Sequence, residues 1–216
     1  LRRKETNLGD LVADALLWQA TDFAFGTELG APDIALMNGG AIRNNSIIPP
    51  GVVNELLTFE ILPFASFVSI VPEVSRAELK TLLENAVSQV EDGSGRFAQV
   101  SGLRFTWDPA GAAQVIDPRS GEITTPGARV THVELEDGTA LVEAGAVVEG
   151  GALSVATIDF LARGGDQYPF PNVGQSTGIS YQRALRNFIA GALEGEITAA
   201  AYPTSGSGRI TEVEAE

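Results

Sequence analysis

The chain has 216 residues, of which 28 are acidic and 14 basic, for a formal net charge of -14. Such a surface repels phosphate backbones and anionic headgroups, which excludes nucleic acid and acidic membranes as partners. With 44% hydrophobic and only 19% charged residues, the chain can build a sizeable core in one generous domain, and disorder is excluded.

The N-terminal segment LRRKETN is followed by no apolar stretch of the signal-peptide kind, and the first residue, Leu rather than Met, points to a processed product. Thr6 or Asn7 can cap a first helix, whose Leu8, Leu11, Val12, Ala15 and Leu16 fall on one helical stripe. A buried strand, Ile34 to Met37, runs into the turn Asn38-Gly39-Gly40. A second strand, Phe67 to Val74, sets Val68, Ile70 and Val74 on one face. Ser75-Arg76-Ala77-Glu78 is a capping box, opening a helix with Leu79, Leu82, Leu83, Ala86, Val87 and Val90 on its apolar stripe.

Beyond the loop Glu91 to Arg96 the period changes to two. Leu103, Phe105 and Trp107 share a strand face, and Asp108-Pro109-Ala110-Gly111 is a turn. Val130 to Leu135 and Leu141-Val142 form a hairpin across Asp137-Gly138. Ala152 to Ile158 is a buried strand leading into Phe160 to Asp166. A last helix, capped by Ser180, carries Leu185, Phe188, Ile189, Ala192 and Leu193, and Arg209 to Val213 closes as an edge strand. Helices interleaved with hairpins predict an α+β class: a mixed β-sheet with hairpins and packed helices in a single domain. No apolar run nears the roughly 20 residues that a transmembrane segment needs.

Some chemistry is closed off by residue type. There is no Cys, so thiolate and disulfide chemistry is excluded, and His132 is the single histidine. It lies on an alternating strand with no second His to join it, where a surface or satisfied strand histidine is expected, so no dinuclear metal centre is expected in this chain. The carboxylates fall in turns and on exposed helix faces, without a nucleophile beside them, which argues against a self-contained hydrolase.

Two double-glycine turns each follow a buried strand: Asn38-Gly39-Gly40-Ala41-Ile42-Arg43 and Arg163-Gly164-Gly165-Asp166. Glycine permits positive φ and close approach to a ligand, yet paired glycines also mark ordinary tight turns. The Arg at one turn offers a fork for phosphate, and the Asp at the other accepts from vicinal hydroxyls. Phe97, from a Gly-rich loop, and Phe160, a few residues before the second glycine pair, are candidate stacking platforms for a flat heterocycle, although spacing alone favours packed core rings for both.

Five segments in order resemble the successive signatures of the 5'-nucleotidase C-terminal domain family: Glu5 to Gly9, Asn38 to Arg43, Leu62-Pro63-Phe64, Arg96 to Gly102, and Phe160 to Asp166. The match spans nearly the whole chain. The resemblance implies that residues 1–216 are one such domain and that it binds the nucleoside part of a nucleotide. It further implies a metallophosphatase domain preceding this one, outside the chain, with two divalent metal ions and the catalytic histidine. A hinge-like rotation would bring substrate to them. No cofactor and no catalytic residue is expected in this chain.

By the same resemblance, Phe97 and Phe160 stack on the base, Asn38 hydrogen-bonds it, Asp166 accepts from the ribose hydroxyls, and Arg43 and Arg2 meet the ribose-phosphate side. The family's periplasmic and cell-surface members imply an extracytoplasmic location. The chain departs from the usual pattern at Gln167, where Gly is frequent, at Arg163, where Asn is frequent, and at Ala41, in place of a third Gly. The alternative is a stand-alone nucleotide-binding or interaction module that keeps the fold without the hydrolase.

Overall fold

The structure, a computed structural model, describes residues 1–43 and 47–214. Helix α1 (Asn7–Ala24) starts where the hydroxyl of Thr6 accepts from the Gly9 amide, and it buries Leu11, Val12, Ala15 and Leu16 as the spacing predicts. Strand β1 (Ile34–Asn38) is buried throughout and ends in a 3-10 turn at Gly39–Ala41. Then come α2 (Glu55–Ile61), β2 (Phe67–Val74) and α3 (Arg76–Val87), the last opened by the expected Ser75/Glu78 capping box. Val90 is buried in the turn after α3 rather than in its last turn.

The middle of the chain is strand-rich: β3 (Ala98–Ser101), β4 (Leu103–Trp107), the short β5 (Val115–Ile116) and β6 (Ile123–Thr125), β7 (Val130–Leu135), β8 (Ala140–Glu143) and β9 (Ala146–Val147). β10 (Leu153–Ile158) leads into the single turn α4 (Asp159–Ala162). β11 (Gln175–Ser180), α5 (Tyr181–Gly191) and β12 (Ile210–Glu212) complete the order. Sequence periodicity leaves α2, β3 and β11 unread, because all are short and two lie in polar or glycine-rich surroundings.

Two five-stranded sheets form where one was expected. The first runs β11-β2-β10-β1-β3 and the second β12-β4-β7-β8-β9, while β5 and β6 pair separately. Each large sheet is mixed: β1 is parallel to β10 and β12 to β4, with the other pairs antiparallel. The α+β class stands. The predicted hairpin is β7–β8, closed by the Gly138 amide donating to the Leu135 carbonyl.

In β2, Val68 to Val71 are all buried, so both faces are covered and alternation names only three of its five buried positions. α1 packs on β1, β2 and β3 and against α5, while α3 meets β3 of the first sheet and β7, β8 and β9 of the second. The buried carboxylate of Glu84 ties α3 to the second sheet. It accepts from the amides of Arg129 and Val130, both at 3.0 Å, and pairs with Lys80 at 2.7 Å. Among the described residues no helix is long and apolar enough to cross a membrane.

Candidate functional site

The two glycine turns meet because β1 and β10 are parallel neighbours. Their carboxyl ends, Asn38 and Ile158, open at the same edge of the sheet, the usual place for a ligand crevice between parallel strands. β2 and β3 run antiparallel to them and therefore begin at that edge, bringing Ser66 and Gly95 to it as well. The result is a cleft of about 400 Å³ lined by Arg2, Asn38, Gly40, Ala41, Arg43, Phe64, Ala65, Ser66, Gly95, Ile158, Phe160 and Asp166. A shallower depression lies across Phe160, bounded by Asp159, Arg163 and Gly164 and sharing Ala65, Ser66 and Phe160 with the cleft.

Glycine serves different ends in the two turns. At the first turn φ is ordinary and the need is space. A Cβ on Gly40 would stand 2.7 Å from the Gly95 Cα, and one on Gly39 would strike the Leu1 carbonyl. The amides of both residues donate across this contact, Gly39 to the Phe97 carbonyl and Gly40 to that of Gly95, each at 2.7 Å. At the second turn Gly164 has φ of 89°, and Gly165 leaves room for the Phe160 ring.

Arg2, Asn38, Arg43, Phe160 and Asp166 are thus brought together, and Phe97 is not. Its ring is fully buried in the core. The backbone of Phe97, not its side chain, faces the glycine turn, because its carbonyl bonds Gly39 on the way into β3. The expected Phe97 platform is therefore corrected: that ring has no surface to offer. Phe64 stands in the cleft instead, 45% exposed and comparable with Phe160 at 46%. Leu62 takes the buried position at the end of α2, Pro63 redirects the chain, and Phe64 is left outside the core. The segment Leu62-Pro63-Phe64 carries this signal, a ring outside any periodic stripe.

The phenol of Tyr181, the first residue of α5, locks two walls together. It accepts from the Phe64 amide at 2.9 Å and donates to the Ala41 carbonyl at 3.3 Å, and burial pushes its pKa up to about 12. The Arg43 guanidinium lies over the Phe64 ring, 5.0 Å from its centroid. Asn38 is almost wholly buried and its amide donates to Asp166 Oδ2 at 2.6 Å. A carboxylate demands the NH2 side, so Asn38 Oδ1 points away from it, and that atom has no partner among the described residues.

Gln99 escaped sequence reading because a glutamine in a buried strand has no periodic signature. Fully buried on β3, it accepts from the Thr6 amide at 3.1 Å and donates to the carbonyls of Leu1 at 3.2 Å and Lys4 at 3.0 Å. These bonds lash residues 1–6 along the sheet and deliver Arg2 to the cleft.

The family model of the 5'-nucleotidase C-terminal domain matches residues 1–172. The chain belongs to that family. It is 30% identical over 214 residues to the trifunctional nucleotide phosphoesterase protein YfkN of Bacillus subtilis (strain 168), covering 94% of this chain and 13% of that protein. A snake venom 5'-nucleotidase from Macrovipera lebetinus is 30% identical over 111 residues, which is 50% of this chain and 26% of the venom protein.

Among solved structures, a 5'-nucleotidase precursor from Thermus thermophilus superposes with a TM-score of 0.76 at 29% identity, over 100% of this chain and 37% of that one. The NAD nucleotidase of Haemophilus influenzae, at 18% identity and a TM-score of 0.67 over 96% of this chain and 33% of its own, shares the fold. This 5'-nucleotidase C-terminal domain therefore spans well under half the length of these relatives.

Proposed function

We propose that this chain recognises the nucleoside part of a nucleotide for an enzyme whose hydrolytic centre lies in a separate domain preceding it. One observation carries the reading: two half-exposed rings, Phe64 and Phe160, share a cleft with the carboxylate of Asp166 and the guanidinium of Arg43. The rings stack on the base, each contact contributing about 1–3 kcal/mol. Asp166 accepts from the ribose hydroxyls, and Asn38 offers its unpartnered Oδ1 to a base N–H. Arg43 and Arg2 meet the ribose-phosphate side, where a guanidinium fork suits phosphate oxygens. The cleft volume lies within the roughly 300–1,000 Å³ usual for small-molecule sites.

The hydrolysis is assigned to two divalent metal ions of a preceding metallophosphatase domain. The donors of the present chain do not fit such a pair. His132 sits half-buried on β7 and bonds Glu134 at 3.3 Å, and among the described residues no group of three or more His, Cys, Asp or Glu stands close enough to hold an ion. What this chain does is bind, orient and hand over the substrate. An extracytoplasmic location is part of the proposal, supported by the venom origin of one relative and the precursor form of another.

Calorimetry with adenosine and a phosphate-release assay with AMP, manganese and zinc test both halves on the isolated chain. The expected result is weak adenosine binding with no phosphate released. Phosphate turnover, or failure of every nucleoside to bind, contradicts the proposal.

A further inference from the structure

Behind the Asp166 carboxylate lies a buried polar network that nucleoside binding does not itself require. Two consecutive non-glycine residues, Asp166 and Gln167, hold left-handed backbone, with φ of 51° and 59°. L side chains adopt this region rarely, and such strain persists only where the surroundings impose it. The surroundings here centre on Arg96, whose guanidinium is almost fully buried. It donates through Nη2 to Gln167 Oε1 at 2.6 Å, and through Nη1 to Asn85 Oδ1 at 3.1 Å and Ser88 Oγ at 3.2 Å. Asn85 in turn donates to the Asp166 carbonyl at 3.2 Å, and Gln167 through its side-chain Nε2 to the Ile116 carbonyl at 3.3 Å.

The oxygens that accept from Arg96 are all neutral. Burial lowers its proton affinity, and the charge of Asp166, acting at longer range, pulls it back up. A buried cation that loses an acceptor is costly, so the bond to Gln167 is held firmly. At this position glycine would relieve the backbone strain, and what glycine lacks is the side chain. The position therefore uses the side chain.

We propose that Gln167 is a positioning residue for the cleft: it couples the Asp166 turn to buried Arg96 and so fixes the direction in which Asp166 presents its carboxylate to the sugar hydroxyls of a ribonucleoside. This rests on the reading of Asp166 as the hydroxyl acceptor.

The test compares adenosine with 2',3'-dideoxyadenosine, by calorimetry and thermal melting, in the chain and in its Gln167→Gly and Gln167→Ala variants. Both variants are expected to lose about tenfold of the preference for adenosine while keeping their affinity for the dideoxy analogue. Gln167→Gly is expected to melt above Gln167→Ala, because glycine relieves the strain, so the preference follows the side chain and not the stability. A preference that survives in either variant overturns the proposal. So does an equal loss for both ligands in step with melting, the mark of a merely structural residue. An unsubstituted chain with no preference for adenosine removes the Asp166 reading itself, before any variant is made, and the two failures are thereby told apart.

Discussion

Phe97 and Phe64 show how little a residue type says until its surroundings are known. Both are phenylalanines in family signature segments, one fully buried and one 45% exposed at the cleft. Their substitutions should separate stability from binding. Phe97→Ala removes a core ring and is expected to cost about 3–5 kcal/mol of stability, leaving the affinity of the remaining folded protein unchanged. Phe64→Ala is expected to cost under about 1 kcal/mol of stability and to weaken adenosine binding by about 1–3 kcal/mol. Denaturant melts paired with calorimetry read both quantities, and equal effects of the two changes would return Phe64 to the core. Burial on this scale was not legible in the sequence, since periodicity marks a ring as apolar without saying which side of the wall it faces.

Elements, unlike single rings, were largely readable. The Thr6 cap, the Ser75/Glu78 capping box, the β7–β8 hairpin and the Ser180 cap all follow from local rules and stand as expected. The glycine turns were legible as turns, but their purpose was not. Gly40 is needed because two backbones touch, a fact about residues 55 positions apart in the chain. Gly40→Ala should force the β1 turn from the loop before β3, lowering stability by about 1–3 kcal/mol and weakening adenosine binding with it. Gly151→Ala is the control: a Cβ there meets nothing within 4 Å and φ is ordinary, so both measurements should stay within about 0.5 kcal/mol. Binding that is intact in folded Gly40→Ala would show that the contact does not shape the cleft.

Across the whole molecule, the two ends of the chain are joined through the start of α1. The Glu5 carboxylate accepts from the amides of Ser207 and Ile210, and Asp10 accepts from the Ser207 hydroxyl at 3.1 Å. Asp14 takes both prongs of Arg209, at 2.6 and 3.0 Å, and the phenol of Tyr202 at 3.0 Å. Arg209 precedes β12, so this cluster seats the last strand beside β4. Burial, with help from neighbouring Glu5 and against Arg209, pushes the pKa of Asp10 up to about 7. Between its ordinary value and 7 the folded chain therefore holds a proton that the unfolded chain has lost. Stability falls as pH rises through that window, and the penalty is complete above 7. Asp10→Asn should remove a difference on the order of 1–2 kcal/mol between pH 5 and pH 8, leaving the variant relatively more stable at pH 8. Denaturant melts at the two pH values measure it, and an identical pH slope in the variant would show that Asp10 is not the group responsible.

The amino-acid sequence by itself determined the α+β class, most helix caps and strand faces, the family, and five of the residues that line the cleft. The class, caps and faces follow from spacing and from turn and cap chemistry, which act over a few residues, whereas the family and the cleft residues follow from the resemblance of five short segments to that family. Only the tertiary structure decided that there are two sheets, that Phe64 and not Phe97 stands beside Phe160, and that Gln99 carries Arg2 to the site. Each of these depends on which distant strands become neighbours. That pairing, β1 parallel to β10 with β2 and β3 antiparallel beside them, is set by burial of the whole core rather than by any one segment.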